Sequence, residues 1–248
     1  SRPRLAAGKV DVLDRRGGLV AVAKPAGVPT EPDHRGGSGS VRRLAAVALG
    51  VRERDLHAAT RLDKPVSGVV LLVVGTDARR DLERWRAEGR LVRRYLGLAA
   101  AAPRPSRGSW DDPIGRRFSP RAPTSPALTR YSTVAVAARG VVPGQLGVAL
   151  LALAPTTGRT HQLRIHAAAG GAPLLGDPEH GGPRRLVLDD GSVVPLDRVA
   201  LHAARLTLVL PDGPSWEITA PTPAPLRSWW ARLGGDEEAW SKALTIVP

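Results

Sequence analysis

Two rhythms of apolar residues run along the chain. Short continuous apolar runs bounded by glycine or proline predict buried strands, and apolar residues spaced three and four apart predict helices. Residues 18–23 (GLVAVA) end at Lys24-Pro25-Ala26-Gly27, a strand followed by a turn. Ser40 offers an N-cap to a helix over 41–49, and Gly50 offers its stop. Residues 69–74 (VVLLVV) predict a buried strand. Thr76 is expected to cap a second helix that carries Leu82 and Trp85 on one face and ends at Gly89. Strands are predicted again at 93–100, 129–138 and 147–153, and a helix over 160–169, stopped by Gly170-Gly171. Leu186 to Val194, around Asp190-Gly191, predicts a hairpin. Residues 205–210 and 216–219 predict a further strand pair, and the tail from Pro225 predicts helix.

Residues 101–127 show no periodicity and are rich in Pro, Ser and Arg, which predicts a functional arm or a loop. Mixed strands and helices, with no repeat of solenoid period and no linker that divides the chain, predict the α+β class. Residues 1–248 are therefore expected to form one domain, with about 17 residues before the first predicted strand.

Composition narrows the function classes. With 248 residues and 42% hydrophobic content the chain can bury a sizeable core. The absence of cysteine excludes disulfides and thiolate metal sites. The longest apolar stretch, around 146–154, is too short to span a bilayer, and the N-terminus has no apolar signal core, so a cytoplasmic monomer without membrane contact is expected. Lys plus Arg is 36 against 23 Asp plus Glu, for a formal net charge of +13, and only Lys9, Lys24, Lys64 and Lys242 are lysines. A surface this rich in arginine suits a polyanion carrying phosphates and planar bases, because guanidinium forks onto phosphate and stacks on rings.

Candidate chemistry concentrates in three segments. Asp63 lies in TRLDKPVSG, between Arg61 and Lys64, just before the apolar run of 69–74. Tyr95 lies in LVRRYLGL, and residues 156–166 read TTGRTHQLRIH. A helix from about Thr160 would place His161, Arg164 and Ala168 on one face. A charged Arg164 among apolar neighbours needs a carboxylate. Asp63 is the partner to expect, since a guanidinium favours the ionised carboxylate that a nucleophile requires, and a structural pair with another acid such as Asp177 is the alternative. His161 and His166, five apart and without cysteine or an acidic cluster beside them, predict hydrogen bonding rather than metal ligation.

These blocks resemble the RluA-type RNA pseudouridine synthases. The resemblance rests on Thr60-Arg61-Leu62-Asp63-Lys64-Pro65-Val66-Ser67-Gly68, on the intact Gly-Arg-Thr-His-Gln-Leu-Arg-x-His block at 158–166, and on Lys24-Pro25-Ala26-Gly27. Pro113-Ile114-Gly115-Arg116, Pro173-Leu174-Leu175-Gly176-Asp177 and Leu201-His202-Ala203 complete it. All stand in family order between residues 18 and 225. The resemblance implies a pseudouridine synthase fold, a largely antiparallel bent sheet flanked by helices and loops with a central catalytic cleft, and a single catalytic domain over 1–248 without the separate N-terminal RNA-binding module that many relatives carry.

It also implies roles. Asp63 takes the place of the catalytic aspartate, Tyr95 of the active-site tyrosine that stacks on the base and serves in proton removal, and Arg164 of the arginine paired with the aspartate. Arg61 takes the place of the side chain that fills the gap left by the flipped base. Arg159 and His161 are expected to contact RNA, and Leu174 or Leu175 to wall the base pocket. Thr60 stands where the family has histidine and Val66 where it has threonine. The implied substrate is a uridine in structured ribosomal or transfer RNA. The isomerisation has no net redox change and no group donor, so neither cofactor nor metal is expected. No phosphate loop is present, because Gly36-Gly37-Ser38-Gly39-Ser40 lacks the lysine. Two other readings compete: an RNA-binding protein that has lost catalysis, suggested by Thr60 and Val66, and a hydrolase using Ser67 or Ser132 with a histidine, weakened by the absence of a G-x-S-x-G elbow.

Overall fold

Segment 67–74, SGVVLLVV, organises the fold because both of its faces are buried. In the computed structural model, which describes residues 9–32, 39–115, 123–137, 147–211, 213–246 and 248, it is strand β4 (Ser67–Val74). Before it come β1 (Asp11–Arg16), β2 (Leu19–Lys24), α1 (Val41–Leu49) and β3 (Leu56–Ala58). After it come α2 (Thr76–Ala87), β5 (Leu91–Ala99), β6 (Arg107–Trp110), β7 (Thr129–Val136), β8 (Ala149–Pro155) and α3 (Gln162–Ala169). The C-terminal part holds β9 (Arg185–Val187), β10 (Val193–Pro195), β11 (Leu201–Leu208), β12 (Trp216–Thr219), α4 (Ala224–Arg232) and α5 (Glu238–Thr245).

Among the described residues, ten strands form one sheet in the order β1-β2-β4-β11-β5-β8-β7-β6, with β3 also paired to β4 and β12 to β11. Every pairing is antiparallel except the short parallel one between β4 and β11. The predicted hairpin forms separately as β9 and β10. Because side chains alternate across a strand, β4 feeds two cores. Val70 and Leu72 join a cluster with α1 and α3, whereas Val69, Leu71 and Val73 join Leu82 of α2 on the opposite face. That second face continues under β5 and β8, where Leu96, Leu98 and Leu150 pack against Leu226, Trp229 and Trp230 of α4 and Trp240 of α5.

Local signals account for most boundaries. Ser40 Oγ accepts from the Arg43 N–H at 3.2 Å, and Gly50 closes α1 with φ 67°, as the cap residues predict. Thr76 is a residue of α2 rather than its cap, which is Gly75. The helix predicted from Thr160 begins two residues later: His161 occupies the cap with φ 56°, so it lies outside the helical face assigned to it. In the aperiodic arm, β6 forms and Ile114 bridges Ser125, while Arg116 and the basic stretch to Arg121 lie outside the described residues.

Gly68 is required where the two central strands meet. Its φ is +127°, and a Cβ built on it would stand 2.2 Å from the carbonyl oxygen of Ala203 on β11. The parallel contact sets Ser67 opposite His202 and Gly68 opposite Ala203, anchoring the turn that carries Asp63 against the middle of the sheet.

Candidate active site

The turn 60–66 is held by the chain that follows β2. The Lys24 ammonium is buried and donates to three carbonyls, those of Pro25 (3.0 Å), Lys64 (3.2 Å) and Val66 (2.6 Å). The Gly27 N–H also donates to Lys64 O at 2.7 Å, and the Thr30 hydroxyl both donates to Leu62 O and accepts from Leu62 N–H. Within the turn, the Val66 N–H reaches back to Asp63 O at 3.0 Å. Burial, then the Arg198 guanidinium, push the Lys24 amine down to about 7 against the pull of Asp63.

Neither unusual residue of the turn disturbs this frame. The Thr60 hydroxyl accepts from the Leu71 N–H at 2.9 Å and its own N–H donates to Leu71 O, so it extends the edge of β4. Val66 is buried in the core with Val70.

Across the turn lies the first part of α3. Arg164 is 3% exposed and forks onto Asp177, with Nε donating at 2.7 Å and Nη2 at 2.6 Å. Nη2 also donates to Glu179 at 3.0 Å, and Nη1 donates to the Asp63 carboxylate at 3.3 Å. Arg164 therefore meets the expected Asp63, but its tighter partner is Asp177, a fully buried acid. Burial alone would lower the guanidinium pKa; the Asp177, Asp63 and Glu179 carboxylates reverse that and raise it. Gly176, at φ +69°, delivers Asp177 there, and a Cβ on it would sit 1.8 Å from Arg198 O.

The rest of the 158–166 block builds scaffold. Gln162 accepts from the Arg159 N–H and the Thr157 hydroxyl and donates to Leu128 O and Thr129. His166 is fully buried between the Thr129 hydroxyl and Asp112 O, each at 2.9 Å. The carbonyl must accept from Nε2–H, so Nδ1 accepts from Thr129.

Between these walls opens a cleft of about 930 Å³. Asp63, its side chain 26% exposed, lines it with Tyr95, Arg61, Arg159, His161 and Arg164. Tyr95 sits in β5 with only 7% exposure, and burial raises its phenol above the usual range. Arg61 and Arg159 are exposed, and Arg86, Arg93 and Arg130 add further guanidinium groups to the lining.

One expectation and one competing reading do not match where their residues lie. Leu174 and Leu175 are core residues that do not line the cleft: Leu174 packs beside Gly97, and Leu175 joins the opposite core. The apolar lining comes instead from Leu62, Val66, Leu163 and Leu201. A serine nucleophile is also excluded by placement. Ser67 does meet a histidine, His202 Nδ1 at 2.8 Å, but both are buried off the cleft and tied to Arg198 and Ala220 O. The Ser132 hydroxyl is buried without a hydrogen-bond partner. Sequence reasoning missed Lys24 and Glu179 as parts of the site, and weighed Asp177 only as a rival partner for Arg164. A charged residue at the end of a buried strand was the available signal for Lys24.

Comparison with known proteins bears on the same residues. The family described as RNA pseudouridylate synthase matches residues 18–169. An uncharacterised RNA pseudouridine synthase of Bacillus subtilis (strain 168) is 30% identical over 235 residues, covering 89% of this chain and 71% of that protein. Ribosomal large subunit pseudouridine synthase D of Nitrosomonas europaea is 29% identical, covering 93% of this chain and 64% of that one. Among solved structures, human RNA pseudouridylate synthase domain containing 4 superposes with a TM-score of 0.67 at 25% identity, covering 90% and 92%.

Proposed function

The chain belongs to the RNA pseudouridylate synthase family, and from that membership we propose that Asp63 is the carboxylate with which it isomerises specific uridines of structured ribosomal or transfer RNA. One observation carries the reading: an acid on a clamped turn, partly open to a cleft, with a buried guanidinium 3.3 Å from its oxygen. Arg164 donates to the Asp63 carboxylate, the nucleophile of this reading, and is itself kept in place by Asp177. The reaction breaks the bond between ribose and N1 of the base, turns the uracil, and joins ribose to C5, from which a proton must leave. Tyr95 offers its face to the uracil. Because burial favours the neutral phenol, the ring suits stacking better than proton removal.

A uridine reaches such a carboxylate only when it is turned out of its stack. Arg61, exposed beside Asp63 at the cleft, fills the gap in this reading. Arg159, with Arg86 and Arg130, contacts phosphates at the rim. His161 contacts the RNA from the same side.

The experiment is to replace Asp63 by Asn and map pseudouridine in cellular RNA and in reconstituted reactions. Modification is expected to fall by at least about a thousandfold, the scale of losing a nucleophile, with RNA binding retained. Conversion at the wild-type rate would remove Asp63 from the chemistry. Tight, salt-sensitive RNA binding by the wild-type protein with no pseudouridine formed would favour the catalytically lost alternative instead.

A further inference from the structure

His161 is, among the described residues, the one non-glycine with a positive φ, 56°, a conformation disfavoured for L side chains. Observed strain of this kind points to function. Its Nδ1 lies 2.9 Å from Nε2 of His180, with the two rings nearly perpendicular at 88°. Glu179 Oε2 stands 3.8 Å from the same Nδ1. Donor atoms of the three side chains all fall within 4.8 Å of one another.

We propose that His161, Glu179 and His180 bind a divalent transition-metal ion of the zinc class at the rim of the cleft. Two imidazoles and a carboxylate suit zinc, copper or nickel rather than magnesium or calcium. Metal–nitrogen bonds of about 2.0–2.1 Å in a tetrahedron set two nitrogens roughly 3.3 Å apart, so the histidine pair needs to open by only a few tenths of an ångström. Facing imidazole nitrogens at 2.9 Å need a proton between them, and the metal takes that proton's place. Each neutral imidazole then keeps its proton on the other nitrogen. Asp63, Asp177 and Glu179 set three carboxylates around Arg164 beside this site, and the other arginines of the cleft lie along its remaining lining. Glu179 has two oxygens, so it can hold the metal and Arg164 together. Water completes the coordination from the open side, since Glu179 is exposed and His180 half-buried.

The site abuts the proposed chemistry. His161 Nε2 is 3.9 Å from the Asp63 carboxylate. With the metal on Nδ1, Nε2 is left facing Asp63 at a separation longer than a direct hydrogen bond.

The test is to titrate metal-free protein with Co²⁺ and Zn²⁺ alone, which requires no RNA and no activity. The wild type is expected to bind one Co²⁺ with visible d–d absorption, lose that spectrum on adding Zn²⁺, and melt at a higher temperature with either ion. His180→Ala and Glu179→Gln, each checked for an unchanged far-ultraviolet dichroism spectrum, are expected to bind at least about tenfold more weakly. If either variant does not fold, the other decides. The proposal fails if the wild type shows no stoichiometric Co²⁺ spectrum, or if a folded variant binds as tightly as the wild type.

Discussion

Arg164 has five N–H donors, and three carboxylates from two segments compete for them. The fork onto Asp177 takes Nε and Nη2 and leaves Nη1 aimed at Asp63, so the buried acid decides where the cation points. Replacing Asp177 by Asn is therefore expected to cost about 3 kcal/mol of stability, because one charge of a buried pair loses its counterpart. Urea denaturation measures that loss. Pseudouridine formation is expected to fall as well, whereas a purely structural Asp177 would leave the rate per folded molecule unchanged. Lys24 acts the same way through the backbone. Lys24→Met removes the ammonium from the Pro25 and Val66 carbonyls and leaves Lys64 O only the Gly27 N–H, and at about 1–3 kcal/mol for a buried unsatisfied group it is expected to loosen the Asp63 turn. Faster amide exchange at Val66 and Gly27 in the variant is the observation to seek.

At the scale of elements, the contact between β4 and β11 governs. The Arg198 guanidinium donates to the Ser67 hydroxyl, Ser67 donates to His202 Nδ1, and His202 Nε2–H donates to Ala220 O, which ties the two strands and the end of β12 together. Burial lowers His202 from 6.5 to about 4, and nearby Arg198 adds to the effect. The unfolded chain therefore binds a proton between pH 6.5 and 4 that the folded chain does not. His202 contributes stability in full above pH 6.5 and loses it as pH falls toward 4, by at most ~3 kcal/mol. Denaturation curves across that window should show the loss in the wild type and a smaller one in His202→Gln. Gly68→Ala is expected to be more damaging than an ordinary core substitution, since its Cβ has no room beside Ala203. Thermal melting tests this directly.

Strands buried on both faces, such as β4, were legible because nothing but burial explains six consecutive aliphatic residues. β1 was not: its DVLDRR sequence is a largely exposed edge with charged residues at four of its six positions, paired to β2. β3 and β6 were missed for a related reason. They are three and four residues long, too short for a period, and exist because β4 and β7 offer free edges.

For the whole molecule, arginine dominates both the surface and the cleft. If RNA lies across Arg61, Arg159 and Arg130, each Arg→Ala change is expected to reduce the slope of log affinity against log salt by roughly 0.7–0.9 per phosphate contact. Filter-binding titrations over a salt series would report it, and an unchanged slope would place that arginine away from the phosphates. Among the described residues no helix is long and apolar enough to cross a membrane. The sequence by itself determined the α+β class, the ordered blocks and the residues that converge on the cleft, because apolar runs and turn residues encode local burial. Only the tertiary structure decided that Arg164 is shared among three acids, that Lys24 clamps the Asp63 turn, that Ser67 and His202 are buried scaffold, that Leu174 and Leu175 are core, and that His161 faces His180. Each of those depends on which distant segments meet when the sheet closes, and no local period along the chain carries that information.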